Sequence, residues 1–277
     1  MTEEQLLKEL RHSNCLDLVK LYQANPDRSF YELIEELYQL RQQHELTTRI
    51  SPLVSEIESL TSELDNKPIT QAQFAEIVQR LDLNQRAHKM SRYILTQDNH
   101  SAFAKPVDIV MFGDSITEWG PWHDALPNFT LANRGLAGDT TEGMIRRLPT
   151  TKVCQPKLVC VMAGINDLSQ GYTVDQVIKN YRQMLDYWQG EKIEVWVQST
   201  LYVGERIATL NPLVTELNQQ LSLLCKQRVL RFIDLNQYLC PEHYLPLNCS
   251  CDDLHLNSIA YKKWLDTLAP LLEQRFN

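Results

Sequence analysis

The sequence predicts an α/β protein, three layers (α/β/α) built on a mainly parallel five-stranded sheet, preceded by an all-helical N-terminal region. Three observations carry that expectation. Beyond Lys105, five short apolar runs (107–112, 130–133, 158–163, 194–198 and 229–233) alternate with segments of helical periodicity, the pattern of a parallel sheet covered on both faces. Residues 1 to about 100 carry only helical stripes. The first run is rich in branched residues and stops abruptly at Gly113-Asp114-Ser115, a small-residue turn bearing one hydroxyl.

Taken in order, a first helix is expected from Glu3 to about Gln23, ending before Asn25-Pro26 because the residue preceding proline disfavours helix. A second places Phe30, Leu33, Ile34, Leu37 and Tyr38 on one face. Ser51-Pro52 has the form of an N-cap with proline in the first turn, so a third helix should start there, with Leu53, Ile57, Leu60 and Leu64 as its stripe. After the turn residues 65–68, Thr70 and Gln73 have capping-box spacing and open a fourth helix reaching about Ile94. The polar stretch 96–105 reads as the join between a helical module, 1–100, and a second domain, 105–277. In the second domain, helices fit best at 141–148, 173–188, 208–226 and 258–274.

Composition narrows the function. The chain has 277 residues, 43% hydrophobic, enough for a substantial core, and its net charge of -8 without a basic stripe argues against nucleic acid or an anionic membrane as partner. No apolar run approaches the roughly 18 residues of a spanning helix. The start, Thr2-Glu3-Glu4-Gln5-Leu6, lacks a signal peptide's basic flank, so a cytoplasmic location is expected. Seven cysteines, an odd number, are expected as reduced thiols, and Cys249-Ser250-Cys251 lacks the second ligand pair of a zinc site; no metal and no cofactor are expected.

Parallel strands deliver their carboxyl ends to one edge, which gathers the polar clusters that follow them. Ser115 is the candidate nucleophile there. Gly138, in Gly135-Leu-Ala-Gly138-Asp-Thr, allows close backbone approach and a free N–H; Asn166, in Gly164-Ile-Asn166-Asp167, offers an amide. With the Ser115 N–H these donors suit the oxyanion of acyl transfer. Near the C-terminus, Asp252 and His255 lie three apart ahead of the last helix, a spacing that lets the carboxylate reach Nδ1 while Nε2 faces the serine. The other histidines, His12, His44, His88, His100, His123 and His243, have no such company.

These motifs resemble the SGNH, or GDSL, hydrolases, a family of esterases, lipases and carbohydrate deacetylases, over roughly 107–272. Gly113-Asp114-Ser115, Gly138 in Gly-Asp-Thr, Gly164-Ile-Asn166-Asp167 and Asp252-Asp-Leu-His255 match four of its blocks in order. The resemblance implies a flavodoxin-like sheet and no cofactor. It implies Ser115, Asp252 and His255 as triad, and Ser115, Gly138 and Asn166 as oxyanion donors. Asp114, Asp167, Trp119 and Tyr202 are expected at the substrate, with Trp119, Trp122 or Tyr202 near the mouth of a small pocket that prefers acetyl esters. The wording Asn133-Arg-Gly-Leu-Ala-Gly138-Asp-Thr-Thr is most similar to the acetylhydrolase branch, which resembles platelet-activating-factor acetylhydrolase subunits and sugar O-acetylesterases. Two positions depart from the family: Asp253 and Ala260 stand where glycine is usual, and the first sets a second carboxylate beside the triad. Two other readings stand beside the esterase: an O-acetyltransferase using the same triad, and a helical interaction protein on a hydrolase-like scaffold. The expected partners are a small-molecule or saccharide ester and, through the N-terminal helices, a second copy of the chain.

Overall fold

Two apolar cores form in the computed structural model, which describes residues 2–12, 15–17, 21, 24, 25, 28, 30–46, 49–51, 91–250 and 252–276. They belong to two units, Met1–Ala102 and Phe103–Asn277. In the first, α1 (Glu3–His12) buries Leu6 and Leu10, one turn apart, and carries Glu3 and Glu4 at its start and Arg11 and His12 at its end, matching the helix dipole. The helix expected to reach about Gln23 therefore stops at His12. Cys15–Asp17 (β1) instead pairs in parallel with Arg49–Ser51 (β2), so the region is helical but not purely so. The second expected helix is α2 (Phe30–Gln43), which buries Leu33, Leu37 and Leu40 while Tyr38 is exposed. Ser51, expected as an N-cap, ends β2. The third expected helix and most of the fourth lie outside the described residues. The polar stretch expected as the join is helical through α3 (Ser91–Ala102): Tyr93 and Ile94 bury one face, and exposed polar residues are tolerated on the rest.

The second unit is built on five parallel strands: β3 (Ile109–Gly113), β4 (Leu131–Gly135), β5 (Leu158–Met162), β6 (Glu194–Gln198) and β7 (Arg231–Ile233). Their order is β4-β3-β5-β6-β7, the 2-1-3-4-5 order of flavodoxin-like sheets. Every residue of β3 and β5 is buried, as it must be when helices cover both faces. Gly113 pairs level with Gly135 and with Met162, so the loops leaving β3, β4 and β5 start at one height.

The connections are α4 (Ser115–Glu118), α5 (Trp122–Ala125), α6 (Thr141–Arg146), α7 (Pro149–Lys152), α8 (Ile165–Ser169), α9 (Val174–Gly190), α10 (Asn211–Arg228), α11 (Asn236–Leu239) and α12 (Ser258–Phe276). The helix expected over 141–148 ends at Arg146, and a separate short helix, α7, opens at Pro149, which a first turn tolerates but a helix interior does not. Thr173 and Gln176 form a capping box that starts α9. Phe112 meets Trp188 of α9 edge-on at 5.3 Å, and Trp122 of α5 meets Trp264 of α12 at 5.0 Å; each such pair adds about 0.5–1.5 kcal/mol beyond its buried area. Cys154, Cys160, Cys225, Cys240 and Cys249 are buried free thiols. Among the described residues no helix is long and apolar enough to cross a membrane.

Candidate active site

β3 runs straight into the turn that presents Ser115. Gly113 has no room for a side chain: a Cβ there would stand 2.1 Å from Thr117 Oγ1 and 2.6 Å from the Met162 carbonyl oxygen. Asp114 caps α4, its Oδ1 accepting from the Ile116 N–H at 3.0 Å, and Ser115 is the first residue of that helix. Three contacts hold α4 from behind. Tyr261 donates its hydroxyl to the Ile116 carbonyl at 2.7 Å, Trp122 Nε1 donates to the Thr117 carbonyl at 2.7 Å, and Asn133 Nδ2 donates to the Glu118 carbonyl at 2.8 Å.

His255 reaches this turn from 140 positions along the chain, with Nε2 2.9 Å from Ser115 Oγ. Its Nδ1 lies 2.6 Å from Asp252 Oδ2, and Asp252 Oδ1 accepts the backbone N–H groups of His255 at 2.7 Å and Leu254 at 3.1 Å. Burial opposes charge on Asp252, but the hydrogen bonds from the His255 ring and these amides outweigh it and hold the carboxyl well below the usual carboxylate range. An ionised Asp252 only accepts, so Nδ1 carries the proton and Nε2 is free to accept from the serine hydroxyl. Trp119, one turn after Ser115 on the same side of α4, lays its ring 4.1 Å from the His255 ring and is half exposed.

Asp253, the second carboxylate, turns away: it is buried, forms an ion pair with Arg206, and occupies φ 67. That left-handed backbone explains why glycine is the easier residue there.

The loops after β4 and β5 meet beside the serine turn. Gly138 sits at φ 78, left-handed as its glycine allows, and the Asn166 amide donates to the carbonyl of the next residue, Asp139, at 2.9 Å. Asn166 has a second N–H beyond that bond. Glu118 Oε2 accepts the Ala137 N–H at 2.9 Å, tying the loop to α4.

Three residues expected at the substrate are instead buried within the fold. Asp114 and Asp167 are 1% and 0% exposed. Burial, with the nearby Asp139 and Asp167 carboxylates, pushes Asp114 up to about 7. Asp167 is raised by burial to about 6 although it accepts from the Thr141 N–H and hydroxyl. Tyr202 is buried too, its hydroxyl paired with Thr215 Oγ1 and His243 Nδ1 at 3.0 Å each. It lines a cleft of about 800 Å³ shared with Thr215, Asn218 and His243, not with Ser115 or His255. Trp122 is sealed behind α4, so of the aromatics expected at the mouth only Trp119 lies beside His255 with an open face. Among the described residues, no group of three His, Cys, Asp or Glu is arranged to hold a metal.

Sequence reasoning missed Arg147, which is fully buried and hydrogen-bonded to Asp139. Its signal was periodicity, since it falls on the inward face of Met144 and Leu148 rather than beside the exposed Arg146.

A parallel sheet in flavodoxin-like order, with Ser115 directly after β3 and an Asp-His pair brought against it by the loop ahead of α12, is the arrangement of a GDSL-type hydrolase. The chain belongs to the GDSL-like lipase/acylhydrolase family, whose model matches residues 111–263. A GDSL-like lipase from Bacteroides thetaiotaomicron superposes with a TM-score of 0.57 at 23% identity, over 64% of this chain and 95% of that one. An acetyl-xylooligosaccharide esterase from Geobacillus does so with a TM-score of 0.51 at 14% identity, over 60% and 94%. At those identities the likeness is one of fold. In sequence the chain is similar to an N-acylneuraminate cytidylyltransferase of Streptococcus agalactiae, 23% identical over 192 residues, 69% of this chain and 45% of the relative. The chain thus spans less than half the length of that curated relative.

Proposed function

We propose that this protein is a serine esterase that hydrolyses short-chain, chiefly acetyl, esters on a carbohydrate through an acyl-enzyme at Ser115. The observation that carries the reading is the unbroken chain from Ser115 Oγ through His255 Nε2 and Nδ1 to Asp252 Oδ2, at 2.9 and 2.6 Å. His255 takes the hydroxyl proton as Oγ attacks the ester carbonyl carbon. The N–H groups of Ser115 and Gly138 and the second N–H of Asn166 receive the developing oxyanion. Collapse breaks the ester C–O bond, and the leaving alcohol takes the proton from His255. Water, deprotonated by the same imidazole, then releases the carboxylic acid and restores the serine. Asp252 stays ionised throughout and steadies the imidazolium. Acyl transfer to a sugar hydroxyl differs only in the acceptor of the second half.

A carbohydrate substrate is supported by the half-exposed Trp119 beside His255, an aromatic face of the kind that packs on a sugar ring. The names of two relatives, one acting on an acetylated xylooligosaccharide and one on an N-acylated sugar acid, agree with it. The polar connection Leu168-Ser-Gln-Gly-Tyr172 after β5 supports a short acyl group. The test is labelling with a fluorophosphonate, followed by hydrolysis of acetyl and octanoyl esters with and without a saccharide acceptor. Ser115 should be the labelled residue and the acetyl ester the better substrate; an unlabelled Ser115 in folded protein would overturn the reading.

A further inference from the structure

We infer that Arg147 is a positioning residue for this chemistry, a buried fork that sets the distance between the serine turn and the oxyanion loop; the inference rests on the esterase reading above. A guanidinium without solvent contact is uncommon, because each of its donors must find a partner inside the protein. Arg147 is fully buried, and each of its three nitrogens donates to one acceptor. Nε donates to Asp139 Oδ2 at 2.5 Å, one terminal nitrogen to the Arg134 carbonyl at 2.6 Å, and the other to the Gly113 carbonyl at 2.8 Å. Its plane lies over the Phe112 ring, 4.3 Å from the centroid.

The places of those acceptors carry the argument. Gly113 is the last residue of β3, directly before Asp114-Ser115. Arg134 stands at the end of β4, ahead of the loop to Gly138. Asp139 follows Gly138, and its own carbonyl accepts the Asn166 amide. One planar group therefore braces the hydroxyl's strand against the loop that bears Gly138 and whose Asp139 carbonyl holds the Asn166 amide. Stability alone does not call for such a group, since apolar residues of similar volume often replace a buried ion pair without loss. Geometry does call for it, because a shift of about 1 Å between reacting groups costs about 100-fold in rate.

Lysine keeps the charge but offers a single ammonium that cannot reach three acceptors in the guanidinium's plane. Arg147→Lys should therefore fold, lose about 100-fold in kcat on a small acetyl ester, and keep KM within about twofold, because the oxyanion donors act mainly in the transition state. Combined with Asn166→Ala, it should cost clearly less than the product of the single losses, as expected of residues serving one hole. Amide exchange over 135–141 should quicken about tenfold or more while β5 is unchanged, the sign of a locally released loop. Asp139→Asn, which keeps an acceptor for Nε and removes only charge, should show the same pattern more weakly, and it carries the test if Arg147→Lys fails to fold. Near-native kcat, a loss confined to KM, or fully multiplicative losses would overturn the inference. A wild-type protein that neither hydrolyses esters nor labels at Ser115 would sink the esterase reading instead. In that event the exchange measurement still decides, and unchanged exchange over 135–141 overturns the role of Arg147.

Discussion

Replacing Asp114 by Asn should make the protein's stability less sensitive to pH between 5 and 7. Asp114 is fully buried, caps α4 through Oδ1, and leaves Oδ2 without a hydrogen-bond partner. Burial, reinforced by Asp139 and Asp167, raises its carboxyl from 3.8 to about 7. Between those values the folded protein holds a proton that the unfolded chain has lost, so stability falls as pH rises. The contribution is fully present below 3.8 and gone above about 7. Three units at about 1.36 kcal/mol each give up to about 4 kcal/mol, of which about 2 kcal/mol is lost between pH 5 and 7. Asn keeps the capping oxygen and nearly the same shape, and it has no proton to lose. The stability of Asp114→Asn minus that of wild type, measured by urea unfolding at half-unit steps from pH 5 to 8, should thus rise by about 2 kcal/mol up to pH 7 and flatten beyond it. Asp167, Asp108 and Asp252 titrate in both proteins and largely cancel in the difference. A difference that stays flat across this range would mean that Asp114 is ionised in the fold, and the reasoning would fail.

Three further outcomes are expected. Ser115→Ala and His255→Ala should each abolish nearly all ester turnover, with the double variant little worse, since nucleophile and base act as one unit; multiplicative losses in kcat would count against that unit. Asp252→Asn should cost about 10⁴ in kcat by disturbing the imidazole tautomer, whereas Asp253→Asn, which touches Arg206 rather than His255, should change kcat by less than about tenfold; steady-state kinetics showing the reverse ranking would move the role to Asp253. A chain beginning at Phe103 should fold, since its unit has its own core, and keep acetyl-ester hydrolysis; an inactive folded unit would tie the N-terminal residues to the chemistry.

Much of the second unit was legible because its signals are local. Runs such as 107–112 and 194–198 lie within two or three residues of β3 and β6, and the Gly-Asp-Ser stop marks the place where β3 ends. The Asp252-to-His255 hydrogen bonds span three residues, so spacing alone announced them. The first unit was less legible: Leu6 and Leu10 signalled α1, but a three-residue strand such as β1 has no period of its own and exists only because Arg49–Ser51 comes alongside. Asp114 and Asp167 were expected at the substrate because composition cannot say which side of a turn a carboxylate faces.

What the sequence determined by itself, then, was the strand-turn-helix presenting Ser115, the Asp252-His255 couple and the glycines that admit close approach, all of them set by backbone preferences and contacts within a few residues. The tertiary structure alone decided that Trp119 lies against the His255 imidazole and that Arg147 and Asp114 turn inward. Those outcomes depend on the order in which five similar parallel strands line up, and hydrophobic runs that pair equally well with several neighbours carry no record of that order.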